Sequence, residues 1–492
     1  MVDDLKNRAV TGVTWLVFAQ ISGEILRFVV AVILARILTP DEFGLIGMVL
    51  VFSGFTKLFN DMGFSAALVQ KLDVQQIHYS SVFWLSILAG FFMMALLFLA
   101  APLLAWFFDE PKLIPLAQVI SLEFLLGSPV IVQRARFTRN MDFRVLAIVQ
   151  IVAAAVAGAL GIAMALAGFG VYALAAQLLA TTTCLSGLVW YLSDWRPHLS
   201  FRWSAIREML GFSAGVAGGS MLNYWIRNAD NLLIGKVLGS AQLGLYTRAY
   251  TIMLLPLTQI SSVLSRVMFP AMSAIQDDKP RAKRIYLRAI SAIALFSFPA
   301  MLSLLVVADD FVLVIFGPKW EEMIPVLRVL CVVGLLQSVN STVGWIYQSQ
   351  GRSDIQFWWI LATGLLSFLA FAIGVFWGIL GVAIAYAIRV LSTTWLNYSI
   401  PGRLIDMTVS EVARELYQPL LLSVAMASLL AVLRLILPET LSHPLRLVLL
   451  VAIGILAFII STKVMNLRVY TDLMRLFREK SAHIGRRVSH SN

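Results

Sequence analysis

The sequence predicts an all-α polytopic membrane protein of about fourteen spanning helices. They form two parallel six-helix repeats followed by two extra C-terminal helices. Three observations predict this: an apolar composition, a one-sided distribution of basic residues, and an internal repeat at an offset near 200. Of 492 residues, 60% are hydrophobic and 13% charged, with a mean hydropathy of +0.85. A soluble domain carries nearer ~25% charged residues, so lipid is the solvent for most of this surface. A spanning helix needs about 20 mostly apolar residues. Runs of that kind lie near residues 10–35, 44–68, 82–107, 114–133, 145–168 and 170–192, then 209–234, 243–268, 289–316, 323–347, 355–378 and 380–400, and finally 416–437 and 444–462. No connection between them is long enough to fold as a separate domain. The N-terminal MVDDLKNRAV lacks the apolar core and cleavage site of a signal peptide, so the first span is expected to insert permanently.

Basic residues orient these spans, because Lys and Arg accumulate in cytoplasmic loops. With the N-terminus inside, the cytoplasmic face holds 25 Lys and Arg and the opposite face 5, namely Arg36, Lys112, Lys236, Lys319 and Arg446. Both termini are therefore expected in the cytoplasm. This loop bias accounts for the net charge of +11 without nucleic acid. Only Cys184 and Cys331 are present, both inside apolar runs, so a disulfide framework is not indicated. The segment 193–208 interleaves Trp195, Phe201 and Trp203 with Arg196, Arg202 and Arg207. It reads as an interfacial stretch on the cytoplasmic leaflet. The tail 466–492 reads as a basic amphipathic surface helix.

The repeat shows in three ordered matches. ARILTPDEFGL (35–45) aligns with GKVLGSAQLGL (235–245), IPLAQVIS (114–121) with IPVLRVLC (324–331), and GVYALAAQLLATTTCL (170–185) with GVAIAYAIRVLSTTWL (381–396). Spans 1–6 (residues 1–192) and 7–12 (209–402) are thus two copies, and 403–465 adds the last two spans. An even number of spans per copy gives both the same orientation, as in transporters built from parallel repeats.

Three further stretches carry a family resemblance: LARILTPDEFGLIGMVLVFSGFTKLFNDMGFSAALVQ (34–70), RVMFPAMSAIQDD (266–278) and FGPKWEEMIPVLRVLCVVGLLQSV (316–339). Through them the chain resembles polysaccharide-repeat flippases of the multidrug/oligosaccharidyl-lipid/polysaccharide exporter superfamily, especially the colanic acid exporter branch. The resemblance implies a transporter of the bacterial inner membrane with no covalent chemistry, and because a single chain suffices to enclose a cavity, a monomer is expected. Its cargo would be an undecaprenyl-diphosphate-linked glycan repeat, moved from the cytoplasmic to the periplasmic leaflet. Membrane lipids and a polymerase or other export machinery would be its partners.

Ionisable groups at membrane depth are the site candidates, because each costs several kcal/mol unless it faces a cavity or a partner. Gln20, Glu24 and Arg27 share one face of span 1. Ser220, Asn223, Arg227, Asp230 and Asn231 form a stripe on span 7, and the 200-residue offset pairs Arg27 with Arg227. Guanidinium groups bind phosphate oxygens in bidentate fashion, so Arg27, Arg227 and Arg248 are candidate holders of a diphosphate. Local neutralisation by Glu24 and Asp230 is the competing reading. In span 2, Lys57 and Asp61 lie at i and i+4, where an internal salt bridge competes with contact to cargo. Glu123, Asp61 and Asp230 are candidates for coupling to a proton or sodium ion, the only cofactor expected. Glu123 also has Arg134 and Arg136 as candidate partners across a loop. Arg328 and Arg389 read as snorkelling or pairing between helices. Asp277–Asp278 and Asp309–Asp310 read as solvated surface, and Pro256 and Pro270 as kinks. No Cys/His spacing suits zinc, and no phosphate-binding loop signature is present. A cation or drug antiporter would favour acidic over basic site residues. A polymerase, ligase or glycosyltransferase would need a larger exposed domain.

Overall fold

The computed structural model describes residues 22–464 apart from 62, 72 and 439, and the described residues are helical almost throughout. The helices are α1 (22–37), α2 (Pro40–Asp61), α3 (Phe64–Gln70), α4 (Gln76–Phe108), α5 (Leu113–Gly127), α6 (Val130–Arg139), α7 (Phe143–Leu166) and α8 (Val171–Leu192). They continue with α9 (Trp203–Ser273), α10 (Lys279–Ile315), α11 (Ile324–Asn340), α12 (Gly344–Ser349), α13 (Ser353–Gly374), α14 (Gly378–Gly402), α15 (Val409–Ile436) and α16 (His443–Val464). Each of the fourteen expected spans falls on helix, the first in its described part. Among the described residues, eight helical segments are by length and composition able to cross a membrane, or nine if the pair α5–α6, bent by 45°, counts as one. The expected tail helix over 466–492 lies outside the described residues.

The chain groups into two compact units, Met1–Thr247 and Arg248–Asn492. In unit 1, α4 packs on α5, α7 on α8, and α2 on α4, α5 and α8. The repeat is visible in its backbone. The first copy breaks at residues 38–39, between α1 and α2. The second breaks at Gly239 inside α9, where φ is 85° and ψ 179°, a conformation open to glycine and strained for other residues. The two breaks are 200 residues apart, and Pro256 and Pro270 lie within helix beyond the second. Next to them the two corners cross in reciprocal fashion. A Cβ on Gly44 would collide with the Ser240 carbonyl, and one on Gly244 with the Pro40 carbonyl. The Ser240 hydroxyl also donates to Asp41.

The segment 193–208 is docked more deeply than an interfacial stretch requires. Trp195 is buried in a core with Phe64, Leu68, Phe83, Val132 and Ile206. Its indole donates to Gln76 Oε1 at 2.6 Å, and its carbonyl accepts from Gln133 Nε2 at 3.3 Å. Ser80 and Ser81 accept from the backbone N–H groups of His198 and Arg202. Free N–H groups at this turn are thereby satisfied by the second turn of α4. Phe201 and Trp203 stay exposed, as an interfacial segment would have them. Glu208 closes the docking through Lys71 Nζ at 2.8 Å and His78 Nε2 at 3.3 Å. Hydrogen bonds from Lys71 and then His78, followed by the Lys71 charge, hold its carboxyl below the usual range. A lowered carboxylate pKa adds stability above the unfolded value, and that stability is lost as pH falls through the folded value. Acidification is thus expected to loosen the segment and shift tryptophan emission. Glu208→Gln should remove that acid transition.

In unit 2, α10 packs on α11, α15 and α16, and α14 on α11 and α13. Its core includes Tyr286, Ile290, Phe298, Tyr347 and Tyr398. The capping box of Thr408 and Glu411 starts α15, and Lys283 Nζ reaches Glu411 at 2.9 Å. Asp309 and Asp310 depart from the solvated-surface reading. Asp310 is fully buried, and Asp309 pairs with Arg434 and, at 2.6 Å, with Arg328. Three arginines and His443 converge on this adjacent pair because α15 and α16 pack against the end of α10.

Candidate substrate-binding site

The strongest candidates lie in unit 1, on α1, α2, α5, α8 and the part of α9 before its break. The guanidinium of Arg27 folds back over Gly23 and pairs with Glu24 Oε1 at 2.5 Å. Its side chain is nevertheless 49% exposed, so the pair leaves donors free. Arg227 is exposed, and among the described residues no carboxylate lies within ion-pairing distance of it. Asp230, the acid expected to neutralise it, is buried and accepts instead from Tyr246 Oη at 3.1 Å and the Asn231 N–H at 2.8 Å. Local neutralisation thus holds for Arg27 and fails for Arg227.

The placement of Arg227 follows from the residues one turn before it. Tyr224 Oη donates to the Val51 carbonyl at 2.7 Å and lies 3.1 Å from that of Leu50. Gly54 makes room for the phenol, since a Cβ there would meet it. Phe55 and Trp225 pack against the Tyr224 ring, with their own centroids 4.8 Å apart, and Phe52 packs edge-on against Trp225. This belt fixes α9 on α2. Arg27 and Arg227 each sit 12 residues before the break of their own copy, about 18 Å along a helix. Asn223 shares the exposed stripe with Arg227.

A second polar group joins three helices. Lys57 Nζ on α2 pairs with Glu123 Oε1 on α5 at 2.6 Å, and Thr182 Oγ1 on α8 donates to the same oxygen at 3.1 Å. Glu123 is nearly buried and Lys57 is 42% exposed. Glu123 therefore takes Lys57 and not Arg134 or Arg136; the latter lies over the rings of Tyr79 and Trp195. Sequence spacing carries no signal for a pair 66 residues apart, nor for Thr182 and Tyr224. Replacing Lys57 by Met would leave a buried carboxylate without a counter-ion. Loss of one partner of a buried pair costs ~3–5 kcal/mol, and the exposure of Lys57 reduces this to roughly 1–3 kcal/mol. Thermal unfolding of purified protein should show that loss, with much of it restored in Lys57→Met/Glu123→Gln.

The remaining candidates are more dispersed. Arg248 lies in unit 2 and is partly buried. Gln20 and the side chain of Asp61 lie outside the described residues. Arg328 pairs with Asp309, and Arg389 donates to the Thr363 carbonyl at 2.6 Å. No group of His, Cys, Asp and Glu among the described residues has the arrangement of a metal site. Among the described residues, Arg27, Arg227 and Lys57 put accessible cationic charge at membrane depth in unit 1; Glu24 is partly exposed but paired with Arg27, and the carboxylates Glu123 and Asp230 are buried and engaged. Such an arrangement can hold an anion by charge-assisted hydrogen bonds.

Among solved structures, the chain is similar to the lipid II flippase MurJ in an inward closed conformation. The TM-score is 0.75 over 93% of this chain and 99% of that one, with 14% identity. An inward-facing multidrug resistance MATE transporter matches with a TM-score of 0.62 over 77% of this chain and 94% of its own, at 17% identity. These likenesses establish the fold. Among curated proteins, the lipopolysaccharide biosynthesis protein WzxC of Escherichia coli (strain K12) is 29% identical over 80% of this chain and 81% of its own. The succinoglycan biosynthesis transport protein ExoT of Rhizobium meliloti (strain 1021) is 28% identical over 81% of each. The polysaccharide biosynthesis protein family model matches residues 33–325, and the chain belongs to that family.

Proposed function

We propose that this protein is a transporter that moves undecaprenyl-diphosphate-linked oligosaccharide repeats across the bacterial inner membrane by alternating access, for exopolysaccharide, capsule or O-antigen assembly. The carrying observation is the matched pair of exposed guanidinium groups, Arg27 and Arg227, each 12 residues before the break of its copy. A diphosphate is the anionic part of such a lipid, and paired guanidinium groups suit it. The relatives named for lipopolysaccharide biosynthesis and succinoglycan transport support the cargo class, and the MurJ-like fold suits a large lipid-linked solute. A cation exporter would rely on an accessible carboxylate without a cationic partner at depth, whereas among the described residues Glu24 is held by Arg27, and Glu123 and Asp230 are buried. In this reading both termini are cytoplasmic, the chain works as a monomer, and a proton or sodium ion supplies the coupling. A strain lacking the protein should accumulate lipid-linked repeats on the cytoplasmic leaflet, and their sugar composition would name the glycan. Normal export with no accumulation in that strain would refute the reading.

A further inference from the structure

Arg389 stands near the middle of α14, which runs from Gly378 to Gly402, so it is about 16–20 Å from either end at 1.5 Å per residue. In an apolar layer ~30 Å thick that position is remote from both surfaces. Among the described residues no carboxylate lies within ion-pairing distance of it. Its Nη2 donates to the Thr363 carbonyl on α13 at 2.6 Å, and its Cζ lies 6.0 Å from the centroid of the Tyr386 ring. Its Nε is buried and makes no hydrogen bond. The Thr363 carbonyl also accepts from Ser367 Oγ at 2.8 Å. Neither that carbonyl nor the ring carries a full charge to offset a guanidinium, and an uncompensated charge at this depth is costly.

Helix packing does not demand the charge. The match of 170–185 with 381–396 sets Leu178 of α8 in the place of Arg389. In unit 1 α7 packs on α8 as α13 packs on α14 in unit 2, and the first pair does without an arginine there. Two open strips also run along α14. Leu380, Ile384, Ile388, Leu391 and Trp395 are exposed and all apolar or aromatic, the pattern of a lipid face. Arg389 lies in the other strip with Ala385, Ser392 and Leu396, roughly 110° further round the helix at 100° per residue. Ser392 and Leu396 are exposed, and Ala385 and Arg389 are partly so.

We propose that Arg389 is a cargo contact of unit 2, binding an anionic oxygen group of the lipid-linked glycan, either a sugar carboxylate or a phosphate. The inference rests on the carrier reading given above. Thr363 engages one of five N–H groups and fixes the plane of the fork, which leaves donors over for such a group. The bound anion supplies the counter-charge that the helices around Arg389 lack. Fastening α14 to α13 alone would need no charge, because a glutamine could bond the same carbonyl.

The test uses the full-length protein in phosphatidylcholine nanodiscs with three probes: undecaprenyl diphosphate, its glucosyl ester and its glucuronyl ester. Native mass spectrometry of the released complex measures retention of each, and thermal unfolding without ligand monitors the fold. Arg389→Leu installs the residue of the first copy. A loss of about 10-fold confined to the glucuronyl lipid would assign the contact to a sugar carboxylate. An equal loss for all three would assign it to the diphosphate. In either case Arg389→Lys should recover part of the loss, and the unliganded midpoint of Arg389→Leu should hold or rise, since an uncompensated charge has gone. Undiminished retention of all three lipids by Arg389→Leu would overturn the proposal and leave the carrier reading standing. A lowered midpoint would also overturn it, marking the arginine as a fastening of α14. Failure of the unaltered protein to retain any of the three would overturn the carrier reading, and this inference with it.

Discussion

Replacing Arg27 and Arg227 together with Gln is expected to abolish export while leaving insertion and abundance intact. Hydrogen bonds to charged groups are worth about 1.5–3 kcal/mol each, so each single variant should lose roughly 10- to 100-fold in transport. The losses should compound in the double variant if both groups hold one diphosphate. The structure explains why folding should survive. Arg227 breaks no ion pair among the described residues when it is neutralised, and Arg27 leaves behind a Glu24 that is itself 35% exposed. Lysine at either position keeps the charge but loses the planar fork, so it should fall between arginine and glutamine. Accumulated lipid-linked repeats, measured against protein abundance in the membrane fraction, give the readout. Wild-type export by the double variant would remove these arginines from the site.

The second large effect is expected at Gly44 and Gly244. Each glycine faces a backbone carbonyl of the opposite corner, Ser240 for Gly44 and Pro40 for Gly244. Even a methyl group has no room there, and backbone cannot swing aside as a side chain can. Overpacking of this kind typically costs ~1–3 kcal/mol, and here the strain is relieved by separating the two corners. Gly44→Ala should therefore hold that end of unit 1 open. Ser240 is nearly buried, so Ser240→Cys should react slowly with a membrane-impermeant maleimide. In Gly44→Ala/Ser240→Cys the labelling rate should rise by an order of magnitude, and transport should fall. Unchanged labelling would show that the corner accommodates the methyl group without opening.

The helical content and most helix positions were legible in the sequence because apolar runs of spanning length leave few alternatives. The repeat was legible in the match of 35–45 with 235–245, and the structure turns that match into two breaks at one offset. The Glu24–Arg27 pair was also readable, since a helix brings residues three apart together. The Lys57–Glu123 pair was not, because tertiary packing alone joins α2 to α5. The same reason misdirected the reading of Asp309 and Asp310: their ion partners Arg434, His443 and Arg446 lie more than 120 residues away. Trp195 looked interfacial by composition, yet a pocket formed by α3, α4 and α6 takes it in. Asp230 illustrates a subtler failure. Its spacing from Arg227 permits a pair, but the Tyr246 hydroxyl on the returning part of α9 claims the carboxylate.

The crossing of residues 40–44 with 240–244 has the form of a homodimer interface folded into one chain. Position 44 meets 240 and position 244 meets 40, as in an isologous contact about a two-fold axis. In a true dimer every substitution is felt twice. Here the two halves are written separately and have diverged. Asp41 accepts from Ser240, while the corresponding places hold Ala241 and Pro40, which can make no such bond. The geometry is symmetric and the chemistry is not. The Asp41–Ser240 bond has no counterpart between positions 241 and 40, and it is the natural pivot when the two parts separate.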